Sequence, residues 1–142
     1  MKLVILAEGK LKDRALRGLV DDYLKRIRRY ARCEELELGG PAELSRAVPA
    51  DATLIALEVD GEAVSSVELS KRLERWMTRG KGVVAFAIGG AEGLPRALSE
   101  RADVRLSLSP LTLPHRLARL ILVEQLYRAF TIARGEPYAR EG

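Results

Sequence analysis

Apolar residues along this chain fall into two rhythms. Short runs that are almost wholly apolar, 2–8 (KLVILAE), 53–59 (TLIALEV) and 82–88 (GVVAFAI), alternate with longer stretches whose apolar positions are spaced by three and four. The runs predict strands, and 82–88 suits a central strand covered on both faces. Two weaker stretches, 33–38 and 104–108, predict further strands. The spaced stretches predict helices. Over 11–31 the stripe is Leu16, Leu19, Val20, Tyr23, Leu24 and Ile27. A helix from 65 to 78 is introduced by Ser65 three residues before Glu68, the spacing of a capping box. Shorter helices are predicted over 42–48 and 95–101, and a long one from 114 to 133. Turn signals punctuate the series: Gly39-Gly40-Pro41, Asp60-Gly61 and Arg79-Gly80. Strands alternating with helices predict the α/β class, an open, mostly parallel sheet with helices on both faces. No repeat, low-complexity tract or linker divides the 142 residues, so one domain is expected over 1–142.

The last helix departs from a simple stripe. Leu120, Ile121, Leu122 and Val123 are consecutive, with Leu117, Leu126, Tyr127, Phe130 and Ile132 around them. Such a helix is apolar on every side and needs a second partner beyond the sheet. A second copy of the chain in a two-fold dimer meets that need, and so does a helix sunk wholly within one copy.

Composition narrows the classes. A charged fraction of 31% beside 47% hydrophobic residues is an ordinary globular balance. No stretch reaches the roughly 18–20 apolar residues of a membrane span, and the start is too short for a secretory core, so a cytoplasmic protein is expected. Cys33 and His115 are the sole cysteine and histidine, which excludes an internal disulfide and a Cys/His zinc site. The net charge of +4 permits a nucleic-acid partner. Lys25, Arg26, Arg28, Arg29 and Arg32 crowd one helix end, either as a solvated face favoured by the helix dipole or as a phosphate-binding patch.

In a parallel sheet, ligands bind beyond the carboxyl ends of the strands. Three segments qualify: 57–61, 88–93 and 109–115. The run Gly89-Gly90-Ala91-Glu92-Gly93 is not a dinucleotide fingerprint, because its spacing is G-G-x-x-G and it follows a late strand. Its glycines do offer backbone unshielded by side chains, against which a flat polar ligand can lie. His115 is open to a packing role or to chemistry, and Glu92 to loop organisation or to proton transfer.

IGGAEGL at 88–94, LSPLTLPH at 108–115, VEQLYRA at 123–129 and PYARE at 137–141, with the MKL start and Leu73-Glu74-Arg75-Trp76, resemble the ribosomal large-subunit pseudouridine N3-methyltransferases of the SPOUT class. The resemblance spans essentially the whole chain. It implies an α/β-knot fold with a C-terminal trefoil knot, a homodimer, and S-adenosylmethionine bent against three loops. By position it assigns the cofactor to Leu57, to Gly89 and Gly90, and to Ser109, Pro110, Leu111, Thr112, Leu113 and Pro114. The substrate it implies is N3 of a pseudouridine in 23S ribosomal RNA of the assembled ribosome. His115 and Glu92 are then candidate bases.

Two prolines, Pro110 and Pro114, are expected to pre-order the third loop, and Thr112 to cap the helix after it. The family's tail usually carries histidine where this chain has Ala139. Tyr138 is expected to stack on a base and Arg140 to reach a phosphate. Arg26, Arg28, Arg29 and Arg32 become candidate RNA contacts. Two alternatives stand beside this reading: a non-catalytic ribosome-associated factor that keeps the fold, and a SPOUT methyltransferase with another RNA target.

Overall fold

Each predicted strand and helix forms, with shifts at the ends. The computed structural model describes residues 1–141. Its strands are β1 (Lys2–Glu8), β2 (Arg32–Leu38), β3 (Thr53–Ala63), β4 (Val83–Ile88) and β5 (Val104–Ser107). Its helices are α1 (Arg14–Ile27), α2 (Pro41–Arg46), α3 (Ser66–Thr78), α4 (Arg96–Arg101), α5 (His115–Ala133) and a short α6 (Tyr138–Glu141). The sheet order is β2-β1-β4-β3-β5, and every neighbouring pair is parallel.

The pleat divides the strand residues between two cores. Leu3, Ile5 and Ala7 of β1 and Val84, Phe86 and Ile88 of β4 face a core shared with α1, α3 and α5. Val4 and Leu6, with Ala85 and Ala87, face a smaller one that Leu44 of α2 and Leu98 of α4 complete. Both central strands are thus apolar on each side, which is why they read as continuous runs rather than alternations.

Helix α5 packs against α1 and against α3. Its all-round apolarity is therefore largely met within one chain. Leu122, Val123, Leu126 and Ala129 are buried, Leu120 and Ile121 half-buried, and Leu117 alone among its leucines is exposed. The helix also carries a charge in its buried surface. Arg119 is 4% exposed and reaches Glu35 at 2.9 Å, Glu37 at 2.5 Å and the Gly9 carbonyl at 3.0 Å. This ties the start of α5 to β2 and to the end of β1.

Strand β3 runs past the expected stop at Asp60-Gly61. Leu57 and Glu62 both pair with Leu106 of β5, so the chain between them loops out as a bulge. A Cβ on Gly61 would stand 2.7 Å from the Leu106 carbonyl carbon, so glycine is what lets the strands stay together there. No described helix is long and apolar enough to cross a membrane, and no group of three or more potential metal ligands occurs among the described residues.

Candidate cofactor cleft

The carboxyl ends of β3, β4 and β5 open into one cleft of about 280 Å³. All three segments singled out in the sequence contribute to its wall. From β3 and its bulge come Leu57, Glu58, Val59 and Asp60; from the β4 end Ile88, Gly89, Gly90, Gly93 and Leu94; from the β5 end and the start of α5 Leu108, Ser109, Leu111, Leu113, His115 and Ala118. The wall is chiefly apolar side chain and bare backbone, which suits a flat heterocycle with polar edges.

Each loop has a local reason for its path. Gly90 and Gly93 form an isolated bridge, with the Gly93 amide donating to the Gly90 carbonyl at 3.0 Å. Gly93 takes φ +79°, a conformation that favours glycine. A Cβ on Gly89 would stand 2.6 Å from the Gly93 carbonyl oxygen, so the tight turn requires glycine at 89. The third loop is ordered by serines. Ser107 Oγ donates to the Ser109 carbonyl at 2.9 Å, and Ser109 Oγ accepts from the Leu111 amide at 2.9 Å. The bulge is held by Arg105, which donates to Glu58 at 2.6 Å and Asp60 at 3.0 Å, while Ser99 donates to Glu58 at 2.7 Å.

Of the residues expected to meet the cofactor, Leu57, Gly89, Gly90, Ser109, Leu111 and Leu113 line the cleft. Pro110, Thr112 and Pro114 belong to the same loop but are exposed and are not lining residues. Thr112 does not cap α5: the position before the helix is Pro114, which makes no side-chain capping bond. The helix starts one residue after that proline and three after Thr112, leaving the threonine outside capping position. His115 is half-buried in the cleft wall. Glu92 is exposed on the turn and is not a lining residue.

The proposed RNA-facing residues lie elsewhere. Tyr138 packs edge-on against Tyr127, with ring centroids 4.6 Å apart, and its hydroxyl is 3.0 Å from that of Tyr23 and donates to Glu124 at 2.9 Å. Burial, with the bonds to Tyr23 and Glu124, raises the Tyr138 phenol well above its ordinary range. Helical rise puts Glu124 and Tyr127 about 9–14 Å beyond Ala118 along α5, so Tyr138 is not brought to the cleft of its own chain. Arg26 pairs with Asp22 at 3.1 Å and lies over the Tyr23 and Tyr127 rings, at 5.6 and 5.5 Å. Arg28 donates to the Cys33 carbonyl at 2.9 Å and so has a structural task. Arg29 and Arg32 are exposed, as is Arg140, which reaches the Gly135 carbonyl at 3.3 Å.

Sequence reasoning placed segment 57–61 at the cleft but missed the bulge that brings Glu58 and Asp60 into its wall, because no periodicity announces a bulge. It also missed Arg119, a buried cation in an apolar helix that ties α5 to Gly9, Glu35 and Glu37. The arginine inside the apolar run 117–123 was the available signal.

Comparison with known proteins agrees with this architecture. A family model described as "Predicted SPOUT methyltransferase" matches residues 1–139. A protein of Sorangium cellulosum named ribosomal RNA large subunit methyltransferase H is 58% identical over 145 residues, covering 98% of this chain and 99% of that one. One of the same name from Shouchella clausii is 40% identical, covering 97% and 99%. Among solved structures, a methylase-family protein of Haemophilus influenzae superposes with a TM-score of 0.58 at 12% identity, over 96% of this chain and 69% of that one. A methyltransferase from Legionella pneumophila, solved with bound SAM, gives 0.52 at 12% identity, over 91% and 66%. The chain belongs to the SPOUT methyltransferase family.

Proposed function

We propose that this protein uses S-adenosylmethionine to methylate N3 of a pseudouridine in 23S ribosomal RNA, acting on the assembled ribosome. The observation that carries the reading is the meeting of residues 57–60, 88–94 and 108–115 around one cleft. The residues present fit the cofactor: bare backbone at Gly89 and Gly90 gives a flat wall, and Leu57, Leu111 and Leu113 give apolar contact for an adenine. When bound, S-adenosylmethionine supplies an electrophilic methyl group on a sulfonium.

The chain's own contribution is placement. Loop 109–114 is tied down by the Ser107 and Ser109 bonds, which engage the Ser109 carbonyl and the Leu111 amide, and its remaining backbone groups are held ready to read a heterocycle edge. His115, half-buried beside it, is the side chain in the wall suited to accept the imide proton of the target base. Arg29 and Arg140, both exposed, act in this reading as RNA contacts outside the cleft, while Arg26 and Tyr138 would have to leave their contacts with Asp22 and Tyr127 to join them. The ribosome supplies the remaining recognition surface, since a basic patch of this size gives little sequence discrimination alone. A homodimer and a trefoil-knotted C-terminal region, both implied by the family resemblance, belong to the same reading, as does a single domain over 1–142 in the cytoplasm.

The deciding experiment incubates the protein and methyl-labelled S-adenosylmethionine with ribosomes lacking the mark, then maps the labelled rRNA fragment by mass. Label at N3 of one pseudouridine is expected. Label on transfer RNA or protein would overturn the substrate. Cofactor binding with no turnover would favour the non-catalytic factor, to which Ala139 gives its best support.

A further inference from the structure

Glu8 ends β1, one strand over from the cleft, and its carboxylate fills the space where Gly90 would carry a side chain. A Cβ on Gly90 would overlap Glu8 Oε2 outright and stand 3.1 Å from its Cδ. Gly90 itself lines the cleft. The Glu8 backbone leads into a pinned residue: the Gly9 amide donates to the Leu38 carbonyl at 2.7 Å, and the Gly9 carbonyl accepts from Arg119 at 3.0 Å. The carboxylate is therefore presented from a fixed point. It is half-buried, and among the described residues no hydrogen bond or ion pair engages it. The acids of the opposite flank differ, since Glu58 and Asp60 share the Arg105 guanidinium.

An uncompensated carboxylate held against the backbone of a binding cleft sets the local potential there. Any cation lodged beside Gly90 gains from it, and the gain is larger in a half-enclosed cleft than in open water. We infer that Glu8 is the counter-charge by which this cleft prefers a cationic sulfonium nucleoside to its neutral thioether product. The inference rests on the proposed function and deepens it. S-adenosylmethionine and S-adenosylhomocysteine both carry the amino-acid ammonium and carboxylate, and they differ in charge at sulfur alone. Glu8 would thus help to hold the methyl donor and to release the spent nucleoside. It is a positioning residue, acting through charge across the Gly90 backbone.

The test is calorimetric and needs no turnover. The dissociation constants of S-adenosylmethionine and S-adenosylhomocysteine are measured for the full chain, for Glu8→Gln and for Glu74→Gln. Glu74 is exposed on α3 and does not line the cleft, so its variant controls for general loss of negative charge. Glu8→Gln is expected to reduce the preference for the sulfonium by about three- to tenfold, the effect of a unit charge several ångströms away at intermediate dielectric. Glu74→Gln should leave the ratio unchanged. An unaltered ratio in Glu8→Gln, or an equal loss in Glu74→Gln, overturns the inference while leaving the cofactor assignment intact. Failure of the unmodified chain to bind either nucleoside removes both. Should Glu8→Gln melt well below the parent, Glu8→Asp carries the test. Its shorter arm draws the charge back from Gly90, and the ratio should fall to an intermediate value.

Discussion

A guanidinium with almost no access to water has to be neutralised where it stands. Arg119 meets that requirement with Glu35 and Glu37, and Arg17 adds a second cation at 3.1 Å from Glu37. Removing one member would strand the others, which costs more than the group of charges contributes over an apolar equivalent. Burial alone would lift the Glu37 carboxyl. Hydrogen bonds from Arg119 and from the Leu11 amide outweigh it and hold the group below its ordinary 4.5. Because the folded-state value is the lower one, the Glu37 contribution is complete above about pH 4.5 and is lost as pH falls through that folded value. Glu37→Gln should therefore melt below the parent at neutral pH, with the gap narrowing towards pH 3. Thermal melts across that range check it, and a constant gap would contradict the assignment. At this scale the sequence was only partly legible. Gly89, Gly90 and Ser109 could be named from their motifs, but Glu8 and Arg119 act through residues far away in the chain, and no local pattern reports such contacts.

Elements were easier to read than their ends, since periodicity fixes where a face is buried and says little about where a helix is capped. Helix α3 is the favourable case. Ser65 Oγ accepts from the Glu68 amide at 3.1 Å, as its spacing suggested, although the Glu68 side chain turns to Arg72 at 3.1 Å instead of closing a reciprocal box. Ser65→Ala should cost about 1 kcal/mol in urea unfolding, with an unchanged denaturant slope. Helix α1 starts at Arg14, inside the predicted 11–31 stretch and not at its first residue, because Asp13 caps it by accepting from the Leu16 amide at 3.0 Å. Strand β3 was read as ending where it bulges, because a bulge depends on what its neighbour allows. The short α6 has no periodicity to show; it is held by Tyr138 on Tyr127, a contact between helices.

On the scale of the molecule, alternating strands and helices were enough to give the parallel sheet and the cleft at its carboxyl edge, because both follow from topology. The RNA surface was less legible. It depends on which arginines are already engaged, and Arg26 and Arg28 are, while Arg29 and Arg32 stay exposed. If these contacts serve ribosome binding, affinity should drop steeply between 50 and 200 mM salt, by about 0.7–0.9 in log K per log salt for each phosphate contact. Arg29→Ala should flatten that slope in a sedimentation assay, and an unchanged slope would remove Arg29 from the interface.

The sheet also has two outer margins. One is β2, which bears Glu34, Glu35 and Glu37; the other is β5, four residues long. Carboxylates and brevity are both obstacles to strand-by-strand growth between molecules. Concentrated solutions of this protein should therefore resist fibre formation, and any self-association is left to helical surfaces rather than to a shared sheet.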